Sequence, residues 1–174
     1  GETVSVNRTD RTSWQGKKVF FIVAVVALMA DLWSKALAFA PQESNTVTWV
    51  MGTWLGLTQT MNEGVMWGAF PEASAFLPYV RIIAAGFVVY LARDTSSRDR
   101  LGLGALGLVL GGALGNIIDG FYFNAVRDFI YVDLDFPFFD PFPVFNVADS
   151  GICVGVALLL FSMGKNRGDC QASS

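Results

Sequence analysis

Polar and apolar residues fall in long blocks along this chain. Residues 1–18 are polar, aperiodic and basic at Arg8, Arg11, Lys17 and Lys18, which reads as a loose tail. The apolar run 19–40 ends at Pro41, and at about 1.5 Å of rise per residue it roughly matches the hydrocarbon core of a bilayer. Its second half carries Asp31 and Lys35, too much charge for a cleavable signal peptide. Runs 74–92, 101–118 and 144–163 predict three more spans. Within 101–118, Gly104, Gly107, Gly111 and Gly115 recur at three- and four-residue spacing, the pattern that lets helix backbones approach closely. Segment 41–73 is different. It is rich in Thr, Val, Trp and Gly, and 46–50 and 55–61 predict strands joined by a turn near Met51-Gly52-Thr53. Sheet backbone cannot face lipid, so this segment is expected at the interface or against the helices. Residues 119–143 are aromatic, acidic and interrupted by proline, and predict an outer loop; 166–174 form a second polar tail.

Composition turns these blocks into a membrane topology. Of 174 residues 53% are hydrophobic and 16% charged, with a mean hydropathy of +0.46, so the expected class is a mainly α, polytopic membrane protein. Nine of the twelve basic residues fall in the two tails and in the loop holding Arg93, Arg98 and Arg100. Glu43, Glu63, Glu72, Asp133, Asp135 and Asp140 lie in the other two loops. The positive-inside rule then places both termini in the cytoplasm and both long loops outside. A net charge of −3 with basic residues at segment ends excludes a nucleic-acid footprint. Histidine is absent, which removes imidazole bases, Ser-His-Asp triads and histidine metal sites. Cys153 and Cys170 support neither a disulfide nor a zinc cluster.

The same topology brings carboxylates to the outer boundary. Asp149 is expected about one and a half turns inside the fourth span, and Asp128 in the loop beyond the third. Two carboxylates in a poorly hydrated site do not both ionise easily, so they would share a proton. One can then take a proton from water while the other donates to a carbonyl oxygen, giving peptide hydrolysis without a covalent intermediate. The competing reading is two polar helix ends in contact with interfacial water. Asp31 and Lys35 stand four residues apart on one helix face and predict a structural ion pair. Arg81 is expected to snorkel to the interface. Asn62 with Gly64, Asn116 and Asn146 supply amides near the same boundary, able to orient a carboxylate or to satisfy local backbone. Adjacent Ser34 and Lys35 diverge by about 100° on a helix, poor geometry for a Ser-Lys dyad. No Gly-x-Ser-x-Gly elbow, His-Glu-x-x-His or Gly-x-Gly-Asp element is present.

In chain order these motifs resemble lipoprotein signal peptidase, the type II signal peptidase. The resemblance covers about 19–165 and rests on five blocks: Asp31-Leu-Trp-Ser-Lys35; Asn62-Glu-Gly64-Val-Met-Trp67-Gly68; Gly111-Gly-Ala-Leu-Gly115-Asn116-Ile-Ile-Asp119; Val126-Arg-Asp128-Phe129; and Phe145-Asn146-Val-Ala148-Asp149. It implies a bacterial cytoplasmic-membrane protease of four transmembrane helices, with an extracytoplasmic β-sheet cradle matching 41–73 and a short amphipathic helix in the third loop. Asp128 and Asp149 match the family's catalytic pair. Asp31, Lys35, Asn62, Gly64, Asn116, Asn146 and Ala148 match positions that frame the site, and Asp119 belongs to the same third block. The implied substrate is a prolipoprotein whose cysteine already carries diacylglyceryl, cut immediately before that cysteine, by a monomer in contact with membrane lipid. No metal or other cofactor is expected, and cleavage should survive excess chelator.

One position departs from the pattern. Family members usually read Asn-x-x-Asp-Arg in the third block, where this chain has Gly120. Arg127, directly before Asp128, is expected to supply the missing charge and to lower the pKa of a neighbouring carboxylate. Gly120 also keeps open a weakly active or inactive module that binds lipidated signal helices without cutting them. An ion- or proton-coupled carrier is disfavoured by four short spans without an internal repeat.

Overall fold

The computed structural model describes residues 14–40, 46–64, 76–133 and 142–172, with side chains to residue 164. Helix α1 spans Lys18–Ala38, α2 Leu77–Asp94, α3 Arg100–Phe123 and α4 Val147–Ala172; strands β1 (Thr48–Met51), β2 (Leu55–Asn62) and β3 (Val126–Val132) form one antiparallel sheet in the order β1-β2-β3. Three stretches, Lys18–Ala38, Arg100–Phe123 and Val147–Gly164, are long and apolar enough to cross a membrane. Helix α2 is not among them: its 18 residues include Arg81, Arg93 and Asp94.

Polarity is turned inside out relative to a water-soluble domain. Phe21, Ile22, Val25, Val26, Met29 and Trp33 of α1, and Leu160 and Phe161 of α4, face outward. Asp31, Lys35, Asp119 and Asn146 are fully buried. Such a surface is stable against lipid and not against water, so the chain is a multi-pass membrane protein.

Helix α3 is the axis of the bundle because its glycines remove the side chains that would hold α1 and α4 away. A Cβ on Gly107 would lie 2.7 Å from the Phe20 carbonyl oxygen, and one on Gly111 2.5 Å from that of Ala24. On the other side a Cβ on Gly112 would lie 2.6 Å from the Ala148 oxygen, and α4 reciprocates with Gly155, 2.8 Å from the Ala105 oxygen. Gly104 contributes less, its added carbon meeting only Val19 Cγ1 at 3.7 Å. Gly111→Val should therefore destabilise the protein by about 1–3 kcal/mol or more through overpacking. It would be read as a lowered unfolding temperature in detergent, with Gly104→Ala unchanged as the control. At the helix start, Asp99 accepts from Gly102 N at 2.8 Å and from Ser162 Oγ at 3.1 Å, tying the first turn of α3 to α4.

The expected hairpin is present: β1 and β2 pair antiparallel around Gly52, whose φ of +54° suits glycine at the turn. Two expectations for 119–143 are corrected. Helix α3 continues to Phe123, ending on Asn124 in the left-handed conformation, and β3 follows where a loop was expected. The strand is held on both edges, by β2 and by Phe145, whose backbone exchanges hydrogen bonds with Ile130 at 2.8 and 3.1 Å. No helix occurs in the described part of that segment after Phe123; residues 134–141 lie outside the described residues.

Candidate active site

A capping arrangement at the start of α4 organises the site. Asn146 precedes the helix, and its Oδ1 accepts from Asp149 N at 2.9 Å while Asp149 Oδ2 accepts from Asn146 N at 3.2 Å. This reciprocal pair satisfies amide groups that the first helical turn leaves open, and it fixes the Asp149 carboxylate against the positive end of the helix. Asn146 is fully buried, and its Nδ2 donates to Asp128 Oδ1 at 2.6 Å and to Asn116 Oδ1 at 3.2 Å. One asparagine thus joins the two aspartates, reaching Asp128 across 18 residues of sequence.

Asp128 reaches this point from β3, not from a loop. The Phe145 bridge to Ile130 brings β3 beside Asn146, and strand alternation turns Asp128 and Arg127 to opposite faces. From β2, Asn62 Nδ2 donates to Asp128 Oδ2 at 2.9 Å. Gly64 sets the amide's orientation: its N–H donates to Asn62 Oδ1 at 2.8 Å, so only Nδ2 is left for the carboxylate. That turn needs φ of +76° at Gly64, where any Cβ would also collide with Leu77 Cδ1.

Behind the pair lies a closed charge cluster. Lys35 is fully buried, forms ion pairs with Asp31 Oδ2 at 2.7 Å and Asp119 Oδ2 at 3.2 Å, and donates to Asn116 Oδ1 at 2.9 Å. With Oδ1 taken, Asn116 presents Nδ2 to Asp149 Oδ1 at 2.9 Å. Asp31 does more than pair with Lys35: its Oδ1 accepts from Ala148 N at 2.9 Å, capping another open amide of α4. Arg127 lies on Asp119, donating from N, Nε and Nη2 at 3.0, 3.1 and 2.7 Å, with its guanidinium 4.6 Å from the Phe123 ring centroid. It neutralises Asp119 and does not reach Asp128. Asp31, Lys35, Asp119 and Arg127 balance one another, and amides alone are seen to contact Asp128 and Asp149 among the described residues.

Electrostatics follow from that allocation. Asp128 is buried on a strand outside the spanning helices, and burial is the largest influence on its carboxyl, which is pushed up to about 6. The Asn62 amide opposes the rise, the charge of Asp149 adds to it, and Asn146 and Lys35 act downward. Near neutral pH this group exchanges a proton readily, as general acid-base chemistry requires.

All the expected site residues gather here: Asp31, Lys35, Asn62, Gly64, Asn116, Asp119, Asp128, Asn146, Ala148 and Asp149 in one network, with Arg127 at its back. Arg81 is the residue the sequence reading misplaced. Instead of snorkelling outward, it points between Gly64 and Gly120, with Nη1 3.5 Å from where a Gly120 Cβ would sit. A signal was available, since Arg81 shares a helical stripe with Ala85, Val88 and Ala92, all buried.

The family described as Signal peptidase (SPase) II matches residues 23–165. A protein of Halalkalibacterium halodurans named lipoprotein signal peptidase is 36% identical over 151 residues, 86% of this chain and 94% of that protein. One of the same name from Anoxybacillus flavithermus is 34% identical over 148 residues, 84% of this chain and 85% of its own. Two solved structures, each described as a bacterial membrane enzyme determined by the in meso method, superpose with TM-scores of 0.76 at 27% and 26% identity. They cover 87% and 88% of this chain, and 91% and 96% of their own.

Proposed function

We infer the chemistry from one premise: this chain belongs to the signal peptidase II family, and it is a hydrolase that removes signal peptides from prolipoproteins. Asp128 and Asp149 carry the hydrolysis. The observation behind this assignment is that one buried amide, Asn146, holds both carboxylates while Lys35 and Arg127 are spent on Asp31 and Asp119. Such a pair retains one proton. It rests on Asp128, whose carboxyl is pushed up to about 6.

The reaction then runs in two proton exchanges. Asp149 takes a proton from water as its oxygen attacks the scissile carbonyl carbon, and Asp128 gives its proton to the carbonyl oxygen. In the collapse of the tetrahedral intermediate, Asp128 takes a hydroxyl proton back and Asp149 delivers its proton to the leaving nitrogen, so the C–N bond breaks and the dyad returns to its starting state. Cleavage falls immediately before a diacylglyceryl-modified cysteine of the prolipoprotein. A site between the sheet and the helix ends suits that substrate: the acyl chains stay in lipid while the peptide reaches the carboxylates.

The finer topology is part of the same reading. Helix α2 is the fourth span, supported by exposed Tyr79, Val80, Ile83, Phe87 and Tyr90 along its outer surface. Both termini are then cytoplasmic and the sheet and dyad lie at the outer face, consistent with Arg93, Arg98 and Arg100 between α2 and α3. The enzyme works as a monomer in contact with lipid. A binding module without cleavage is not favoured, since both relatives carry the name of a peptidase.

The pH dependence tests the assignment. The singly protonated dyad is lost as pH rises through about 6, so kcat/KM of the wild type should fall on the basic side by about tenfold per unit. A profile flat from pH 5 to about 8 would remove Asp128 from the reaction.

A further inference from the structure

Arg81 lies one turn into α2, on the stripe that continues through buried Ala85, Val88 and Ala92, so its side chain is directed into the protein. Two glycines flank its guanidinium. Nη1 is 3.5 Å from where a Cβ on Gly120 of α3 would sit, and Nη2 is 3.7 Å from where one on Gly64 would sit, just after β2. The same residue lines two cavities. One, of about 370 Å³, is bordered by Asn62, Glu63, Gly120 and Asn124; the other, of about 310 Å³, by Asn116 and Asp149. The first touches the amide that holds Asp128 and the second touches Asp149 itself.

Among the described residues Arg81 is the only cation lining either cavity, and it forms no ion pair or hydrogen bond with any of them. Lys35 and Arg127 are both fully engaged. A half-buried guanidinium offers five donors and no acceptor, and covering it without giving those donors partners is expensive. Its complement is an acceptor that arrives with the ligand. An extended peptide entering beside Asp128 and Asp149 brings main-chain carbonyl oxygens that have lost water, and charge-assisted hydrogen bonds to them are among the stronger polar contacts available.

We propose that Arg81 is a substrate-binding residue, its guanidinium donating to main-chain carbonyl oxygens of the signal peptide next to the scissile bond. The inference rests on the assignment of Asp128 and Asp149 as the hydrolytic pair. Gly64 and Gly120 then lie on either side of it.

The test is steady-state cleavage of a diacylglyceryl-modified prolipoprotein by the full chain in dodecylmaltoside, with unfolding temperature measured in parallel. Arg81→Gln should raise KM on the order of ten- to a hundredfold with a smaller change in kcat. Arg81→Lys should fall between it and the wild type. In an Arg81→Ala background, Gly120→Arg should recover part of the lost kcat/KM, because a side chain grown from position 120 enters the vacated volume from the opposite wall. A KM within twofold of wild type in Arg81→Gln, while Asp149→Asn is slowed at least about a hundredfold, would overturn the inference and leave the hydrolytic pair standing. Cleavage at the wild-type rate by Asp149→Asn would instead overturn the pair. An Arg81→Gln defect confined to phosphatidylglycerol vesicles and absent in detergent would give the guanidinium to a lipid phosphate and likewise overturn the proposal.

Discussion

Asp149→Asn is expected to cleave a diacylglyceryl-modified prolipoprotein about 10²- to 10⁴-fold more slowly than the wild type while remaining folded. The amide oxygen can still accept from Asn116 Nδ2, so the short network around α4 survives in part. What it cannot do is take a proton from water. Asp128→Asn should lose a comparable factor, because an amide donates a hydrogen bond to a carbonyl oxygen without delivering the proton. The double variant should be little worse than either single one, since the carboxylates act as a unit. Stability carries a second signature. Asp128 holds its proton more tightly folded than unfolded, so its favourable contribution is complete below about 3.8 and is lost as pH rises through about 6. The stability advantage of wild type over Asp128→Asn should therefore shrink across that window. Cleavage at the wild-type rate by either single variant would rule out the pair as the hydrolytic machinery.

The largest effect on stability is expected from Lys35→Met, a loss on the order of 3–5 kcal/mol. Methionine fills much of the same volume, so the effect isolates charge. Asp31 and Asp119 are both fully buried beside Lys35, and without it they share only Arg127, which lies on Asp119. Asp31 is left as an uncompensated charge in the bundle. The damage extends to the site, because Asn116 Oδ1 keeps only the longer contact from Asn146 Nδ2 and its amide is held less firmly against Asp149. Adding Asp31→Asn should restore part of the stability, since removing the second charge relieves what removing the first created. Denaturation of both variants in detergent at neutral pH measures this, and an unfolding curve for Lys35→Met that overlays the wild type would refute it.

Much of this architecture is legible in local sequence. The apolar runs 19–40 and 101–118 correspond to Lys18–Ala38 and Arg100–Phe123 because a lipid-facing helix needs an unbroken apolar stretch of fixed length. The hairpin was readable from β-branched residues on either side of Gly52. Strand β3 was not: Val126–Val132 lies among acids, aromatics and prolines, and it is extended because β2 and Phe145 supply hydrogen-bond partners from elsewhere in the chain. Nor could local sequence say which carboxylate Arg127 would answer: it lies on Asp119 and not on Asp128, since pairing in a strand turns neighbouring side chains to opposite faces.

By itself, the sequence determined the membrane class, the apolar helices and the residue types of the site, Asp31 with Lys35 and the Asn62, Asn116 and Asn146 amides among them, because hydropathy and i, i+4 spacing are local properties. Tertiary structure alone decided which cation answers which acid. Lys35 and Arg127 close the buried balance around Asp31 and Asp119, Asn146 joins Asp128 to Asp149, and Arg81 is turned inward between Gly64 and Gly120. Electrostatic partnership depends on distances of a few ångströms between residues far apart in the chain, and only packing sets those distances.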